Sequence, residues 1–255
     1  MDINKVLHMA TEAGKIILEN GGETYRVEET ILRICSAYNI KAAESYVTTT
    51  GIMVSVSDVY GNTISLVKRV RKRTVDLEKI SKVNDLSRSI KTKGLTTDEV
   101  IEELRVISSA ERYDIKTTLF FASIVASFFT VLFGGSWPDF ISSFFIGGII
   151  KLMTIYASKF DINDFFVNIL GGIIAASLAI LSVRLGLSHS IDKIIIGSIM
   201  LLVPGIAITN AIRDTISGDL VAGLARTLEA FLIASGIAIG TGIILRLWIS
   251  YSGGM

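Results

Sequence analysis

From Thr117 to Ser250 the chain is dominated by Ile, Leu, Phe, Val, Ala and Gly, whereas residues 1–116 hold most of its Lys, Arg, Asp and Glu. That apolar stretch constrains the fold more than any other feature. In lipid every backbone N–H and C=O must be paired inside the protein, so helices or a closed barrel are the only spanning forms. Five apolar segments, at about 117–135, 139–158, 164–185, 191–212 and 222–249, are each close to the roughly 20 residues that cross a bilayer as a helix. Gly134-Gly135 and Pro138 punctuate the first connection and "KFDIND" the second. The expected architecture is an α+β domain over 1–116, followed by an all-α transmembrane bundle of about five helices over 117–255.

Orientation follows from the cations flanking the first segment. Arg105, Arg112 and Lys116 precede it, while "GGSWPD" after it has no Lys or Arg. The excess marks the cytoplasmic side. The N-terminal domain is therefore expected in the cytoplasm of a multi-pass plasma-membrane protein. Five spans then leave "YSGGM" outside. Later loops divide less sharply, with Lys159, Arg213 and Arg226 inside and Arg184 and Lys193 outside. The opening "MDINKVLHMATEAGK" has no continuous apolar run and does not read as a signal peptide.

In the soluble part, Ile3, Val6, Leu7, Ala10, Ala13 and Ile17 recur at helical spacing, and Gly21-Gly22 stops that helix. Tyr25–Tyr38 reads as a second helix with Glu28, Ile31, Leu32 and Cys35 on one face. The period then changes in "SYVTTTGIMVSVSDVYGNTISLVKRV", which reads as two or three strands with Gly61-Asn62 at a hairpin turn. Leu77, Ile80, Val83, Leu86 and Ile90 return to helical spacing, and Thr96 with Glu99 offers a capping box for a last helix through Ser108. The order is ααβββαα.

Several function classes lack their residues. The net charge is +1, which gives no electrostatic footprint for nucleic acid. The two histidines, His8 and His189, have no partners at metal-ligand spacing, so no metal or other cofactor is expected. Neither a phosphate-binding glycine loop nor a Gly-x-Ser-x-Gly elbow occurs. Cys35 is the single cysteine and reads as a buried core thiol. The run Lys68, Arg69, Arg71, Lys72, Arg73 fits either a solvated strand end or contact with anionic lipid.

The polarity that resists a bland reading lies in "VPGIAITNAIRDTISGD", Val203–Asp219, and just beyond it. Pro204 removes a backbone N–H and, with Gly205, breaks the fourth span. Gly205, Thr209 and Arg213 repeat every four residues, with Asn210 and Asp214 on the adjacent stripe. Asp219, Arg226 and Glu229, at offsets of 7 and 3, share one helical face. A charge deep in lipid costs several kcal/mol, roughly 2.5–3.5 on insertion scales. These groups therefore face protein or water. Asn210, Arg213, Asp214, Asp219, Arg226 and Glu229 are candidate substrate-binding residues, with opposite charges and amides suited to a small zwitterion or carboxylate. A broken helix near the midplane is the usual setting of a secondary-transporter site. The plainer reading is a short cytoplasmic loop, Arg213 to Gly218, with ordinary caps. Small residues at Gly147-Gly148, on the Asn168, Gly172, Ala175, Ala179 stripe, and at Gly236, Gly240 and Thr241 fit close helix packing. Lys151, several residues inside the end of its span, fits either snorkelling to the interface or facing the bundle interior.

Two of these stretches carry a resemblance. "GGETYRVEETILRICSAYNI" followed by "TTTGIMVSV", and then "PGIAITNAIRDTISGDLVAGLARTLEA", resemble the two signatures of the threonine/serine exporter family. The membrane signature matches at Pro204, Gly205, Asn210, Arg213, Asp214, Gly218, Asp219, Gly223, Arg226 and Glu229. The resemblance implies a cytoplasmic N-domain, about five spans, and export of small amino acids or dicarboxylates such as succinate. Ending at Met255, the chain is similar to the large subunit of the two-component type, which implies a second small membrane subunit; a homo-oligomer is the other expected assembly. A proton or substrate gradient is the expected drive, with a coupling proton as partner. A different class stays open: a membrane-anchored cytoplasmic enzyme or sensor, for which one span and no polar face would suffice.

Overall fold

The computed structural model describes residues 2–58, 60–111, 113–160 and 162–252. Arg112, used above to orient the first span, Asp161 in "KFDIND", and the external tail residues 253–255 lie outside the described residues.

Seven elements form from the polar part: α1 (Ile3–Glu19), α2 (Thr24–Ala37), β1 (Ala42–Thr48), β2 (Gly51–Ser57), β3 (Thr63–Arg69), α3 (Leu77–Lys93) and α4 (Thr97–Ser109). The strands make one antiparallel meander in the order β1-β2-β3, with Val54 opposite Ser45 and Leu66. Alternation buries Ile52, Val54 and Val56 on one face of the central strand. They join Val6, Leu7, Ala10, Ala13 and Ile17 of α1 and Val27, Ile31 and Ile34 of α2 in a single core. The phase expected for α2 was partly off: Leu32 is exposed, and Val27 and Ile34 take the buried face with Ile31 and Cys35. Cys35 is buried, and burial pushes its thiol up to about 11. The caps are local. Asp76 accepts from Lys79 N–H at the start of α3, Gly94 ends it at φ +63°, and Thr96 and Glu99 close the capping box of α4.

The apolar part forms α5 (Ile115–Leu132), α6 (Trp137–Lys159), α7 (Asp164–Arg184), α8 (Ile191–Ile199), α9 (Gly205–Ile216) and α10 (Leu220–Ser252). Among the described residues four helices are long and apolar enough to cross a membrane: Ile115–Leu132, Trp137–Lys159, Asp164–Arg184 and Leu220–Tyr251. The expected fourth span, 191–212, is not one helix. It is divided into α8, of 9 residues, and α9, of 12. Pro204 stands at the division, where its missing N–H and its ring are incompatible with a continuous ladder.

Contacts divide the chain into two compact units: Met1–Glu111 with Ile206–Leu228, and Arg112–Gly205 with Glu229–Met255. The first unit thus takes α9 and the beginning of α10 as well as the seven polar-part elements. The second is knit by small residues. A Cβ on Gly240 would stand 2.1 Å from Ile169 O, and one on Gly172 2.6 Å from Ile237 O, so α7 and α10 touch backbone to backbone.

Candidate functional site

Two helix hairpins of the first unit build the site, and both turn in the same way. At the end of α1, Gly21 N–H reaches Leu18 O at 3.3 Å and Gly22 N–H reaches Ile17 O at 2.9 Å. At the end of α9, Gly218 N–H reaches Thr215 O at 3.2 Å and Asp219 N–H reaches Asp214 O at 2.8 Å. Each is the paired-bond ending that needs a left-handed residue after the cap. Gly21 and Gly218 supply it at φ +93° and +94°. The plainer sequence reading, a loop from Arg213 to Gly218, is corrected: α9 runs on to Ile216, and only Ser217-Gly218 form the turn. The side chains around it do something further.

They hold the α1–α2 turn. Asn210 Nδ2 donates to Gly21 O at 2.8 Å, and Arg226 Nη2 donates to Gly22 O at 2.7 Å. Arg213 Nη1 donates to Glu23 Oε1. Thr24 N–H and Thr24 Oγ1 donate to Asp214 Oδ1 at 3.2 and 2.8 Å, and Thr24 Oγ1 also lies 3.1 Å from Asp219 Oδ2. A hydroxyl has one proton, so Thr24 serves one of these two carboxylates at a time. Arg226 Nε pairs with Asp214 Oδ2 at 2.9 Å as an ion pair rather than an aligned hydrogen bond. Asp214 is 0% exposed and Asn210 and Arg226 are each 4% exposed. The charges are thus out of water but compensated, as buried ions must be.

Asp214 also completes α2. The N-cap residue of that helix, Glu23, places no side-chain oxygen on its own first turn. Asp214, from 190 residues away, accepts the Thr24 N–H instead. A carboxylate there satisfies an orphan donor and meets the positive end of the helix dipole.

The surrounding acids are tuned in opposite directions. Burial pushes the Glu23 carboxyl up, but Arg26, its own backbone N–H and Arg213 outweigh that and hold it below the usual carboxylate range. Arg26 Nε reaches Glu23 Oε2 at 2.8 Å. Glu28 goes the other way: burial raises it, the Val47 N–H at 2.9 Å opposes, and the charges of Asp219 and Asp214 add to the rise.

The structure therefore brings together five of the six candidate residues, Asn210, Arg213, Asp214, Asp219 and Arg226, on one turn. Glu229 follows three residues after Arg226 on α10 but belongs to the other compact unit. Arg226, expected inside the fifth span, lies on the part of α10 that packs with the N-terminal elements. Pro204 precedes α9 and Gly205 begins it; a Cβ on Gly205 would meet nothing within 4 Å. Gly223 is tighter, because a Cβ there would stand 2.2 Å from Thr215 Oγ1 and 3.0 Å from its N. The residues that the sequence reading missed are Gly22, Glu23 and Thr24. Gly21-Gly22 read only as a helix stop, yet a Cβ on Gly22 would stand 2.3 Å from Ile17 Cγ2. The available signal was that these residues open the first of the two family-like stretches, and the structure joins the two stretches here. Among the described residues no three His, Cys, Asp or Glu side chains form a group able to hold a metal ion.

Comparison with known proteins agrees with those stretches. The model of the threonine/serine exporter family matches residues 8–248. A threonine/serine exporter of Corynebacterium glutamicum is 28% identical over 255 residues, covering 95% of this chain and 51% of that protein. A protein of Mycobacterium tuberculosis named as a threonine/serine exporter is 22% identical over 244 residues, 95% of this chain and 46% of its own length. One named as the succinate transporter subunit YjjP in Klebsiella aerogenes is 22% identical over 248 residues, 95% of this chain and 94% of its own length. The chain thus spans about half the length of the first two. No solved structure matches.

Proposed function

This chain belongs to the threonine/serine exporter family, and from that premise we propose that it is a secondary transporter, or a subunit of one, exporting small amino acids such as threonine and serine or small dicarboxylates such as succinate. The observation that carries the reading is the buried polar junction between Gly21–Thr24 and the α9–α10 hairpin. An anchor for an enzyme or sensor has no use for it.

The chemistry of the junction supports substrate contact by Asn210, Arg213, Asp214, Asp219 and Arg226. The turn offers carbonyl oxygens to Arg226 and Asn210, and an N–H and a hydroxyl to Asp214. A β-hydroxy amino acid carries equivalent groups: carboxylate oxygens, an ammonium and a hydroxyl. In this reading the turn occupies the site and gives way to substrate. A dicarboxylate would use the arginine side alone.

Length supports a place outside the hydrocarbon for the junction. At 33 residues α10 is about 50 Å long, well over the roughly 30 Å of hydrocarbon. Its beginning, Leu220–Leu228, goes with the N-terminal elements. The remainder, about 36 Å, suffices to span. In this reading the N-terminal domain is cytoplasmic, the chain works with a second small membrane subunit or with copies of itself, and a proton or substrate gradient drives export. The test is reconstitution of the chain alone and with candidate small subunits, followed by flux of labelled threonine, serine and succinate. Flux of at least one, lost in Arg226→Lys because the bidentate fork is gone, is the expected result. No flux of any of them in either preparation would overturn the reading.

A further inference from the structure

Beside the junction, on its Arg213 side, the first unit has an open cleft of about 400 Å³. That lies within the range of small-molecule sites, roughly 300–1,000 Å³. Its polar walls are Glu23 and Arg26 from the start of α2, Asn84 from α3, and Thr209, Asn210 and Arg213 from α9. We propose that this cleft is a binding site for a small carboxylate, with the Arg26 and Arg213 guanidinium groups as its anion-recognising pair and Glu23 as the group that the ligand displaces.

The charge count favours an anion, since the lining has two arginines against one carboxylate. Donor capacity favours it too. A guanidinium has five N–H groups in a planar fork that matches a carboxylate. Arg213 directs one at Glu23 and remains half exposed, at 53% of its side chain. Arg26 directs Nε at Glu23 Oε2, and its Nη2 lies 3.5 Å from the Tyr25 hydroxyl, a weak contact. Both arginines therefore keep donors for a second acceptor. Among the described residues of the lining Glu23 is the only carboxylate, and it pairs with both arginines, its side chain 8% exposed.

Glu23 is also the N-cap residue of α2, immediately before Thr24. A carboxylate that takes Arg213 from Glu23 removes one of the five side-chain holds on the turn, the others being Asn210, Arg226, Asp214 and Asp219. Occupancy of the cleft should then loosen Gly21–Thr24 at the junction. That consequence rests on the transporter reading for its meaning, but binding does not require transport. The cleft is thus a place where cytoplasmic ligand is sensed or first captured.

The experiment is equilibrium binding to the purified full chain in mild detergent. The probes are succinate and L-threonine at millimolar concentration, with threoninol, which lacks a carboxylate, as control. Succinate or L-threonine should bind and threoninol should not, and which of the two binds names the source of the carboxylate. Arg26→Gln should weaken binding at least about tenfold, the scale of one charge-assisted hydrogen bond. Ser81→Trp fills the cleft from the exposed face of α3 while leaving Glu23 and both arginines in the chain, and should abolish binding if Arg26→Gln proves unstable. Ligand should also speed amide exchange over Gly21–Val27, and Ser81→Trp should remove that response. No binding of either carboxylate, or binding unchanged by both substitutions, overturns the site. Binding with unchanged exchange overturns its link to the turn. Flux in vesicles is measured separately, so failure of export and failure of this site give different results.

Discussion

The two compact units solve the same problem, helices that must approach closely, by opposite means. The first unit joins α9 and the start of α10 to its N-terminal elements through charge: Arg226, Asp214, Asn210 and Arg213 on the turn at Gly21–Thr24. The second unit uses shape. Gly172, Gly236 and Gly240 let α7 and α10 meet at their backbones, and Gly197 lies against Thr130. Its buried hydroxyls bond within and between helices, as Thr130 does with Ala126 O and Ser143 Oγ. Shape suffices where lipid offers no competing partner for a packed surface. Charge selects a single partner, and it suits a contact that can be exchanged for a ligand.

The sharpest way to break this contrast is to remove one charge. Arg226→Met leaves Asp214 buried with its ion-pair partner gone, which typically costs about 3–5 kcal/mol. Loss of monodisperse protein on size exclusion is the expected outcome. Arg226→Met with Asp214→Leu should recover part of the fold and none of the flux. Full stability of the single variant would show that the junction is not held by charge.

The corresponding test of shape uses one helix twice. Gly240→Ala puts a methyl 2.1 Å from Ile169 O, where only backbone can yield, whereas Gly242→Ala meets nothing within 4 Å. The first should lower thermal stability by about 1–3 kcal/mol. The second should be neutral or slightly stabilising, by up to roughly 1 kcal/mol, since alanine suits a helix interior better. Equal effects in the two would mean that α7 and α10 do not meet as closely as described.

Removing the Thr24 hydroxyl is a milder cut through the junction. Thr24→Val keeps the branched shape and the N–H to Asp214 but removes the donor shared by Asp214 and Asp219. Asp214 Oδ1 keeps one partner, so the loss should be about 1–2 kcal/mol. Thermal unfolding in detergent measures it, and no change would place the two carboxylates out of reach of the hydroxyl.

What the sequence made legible follows the same division. Periodicity located the helices and strands of residues 1–109, because amphipathic faces and caps such as Thr96 with Glu99 are local signals. It located α5, α6 and α7 because unbroken apolar runs are local too. It read the break at Pro204 and Gly205, where the helix stops and restarts, but still counted 191–212 as one span. It also placed Arg226 in a bundle of spans. Hydropathy assigns all of Leu220–Tyr251 to one apolar run and cannot register that its first residues pack on protein. The polar residues 210–226 were identifiable as unusual, but their partners were not. Gly22, Glu23 and Thr24 lie about 190 residues away, and no local period links the two stretches.

The smallest expected effect reads the acids that flank the turn. Glu28 has a raised pKa, from burial first and then from Asp219 and Asp214, with the Val47 N–H opposing. The folded protein therefore holds this proton more tightly than the unfolded chain. Stability from Glu28 is present below the ordinary carboxylate range and is lost as pH rises through the raised value. Glu23 has the opposite sign: its pKa is lowered, burial being outweighed by Arg26, its backbone N–H and Arg213. Its contribution is present above the ordinary carboxylate range and is lost as pH falls through the lowered value. Glu28→Gln keeps an oxygen for Val47 N–H and removes the titration. It should gain stability relative to the parent as pH rises from acid to neutral, whereas Glu23→Gln should lose relative stability over the same interval. Apparent unfolding temperatures measured across that interval check the pair. Parallel curves for the two variants would show that the turn does not distinguish its two acids, and the charge-based account of the first unit would lose its electrostatic support.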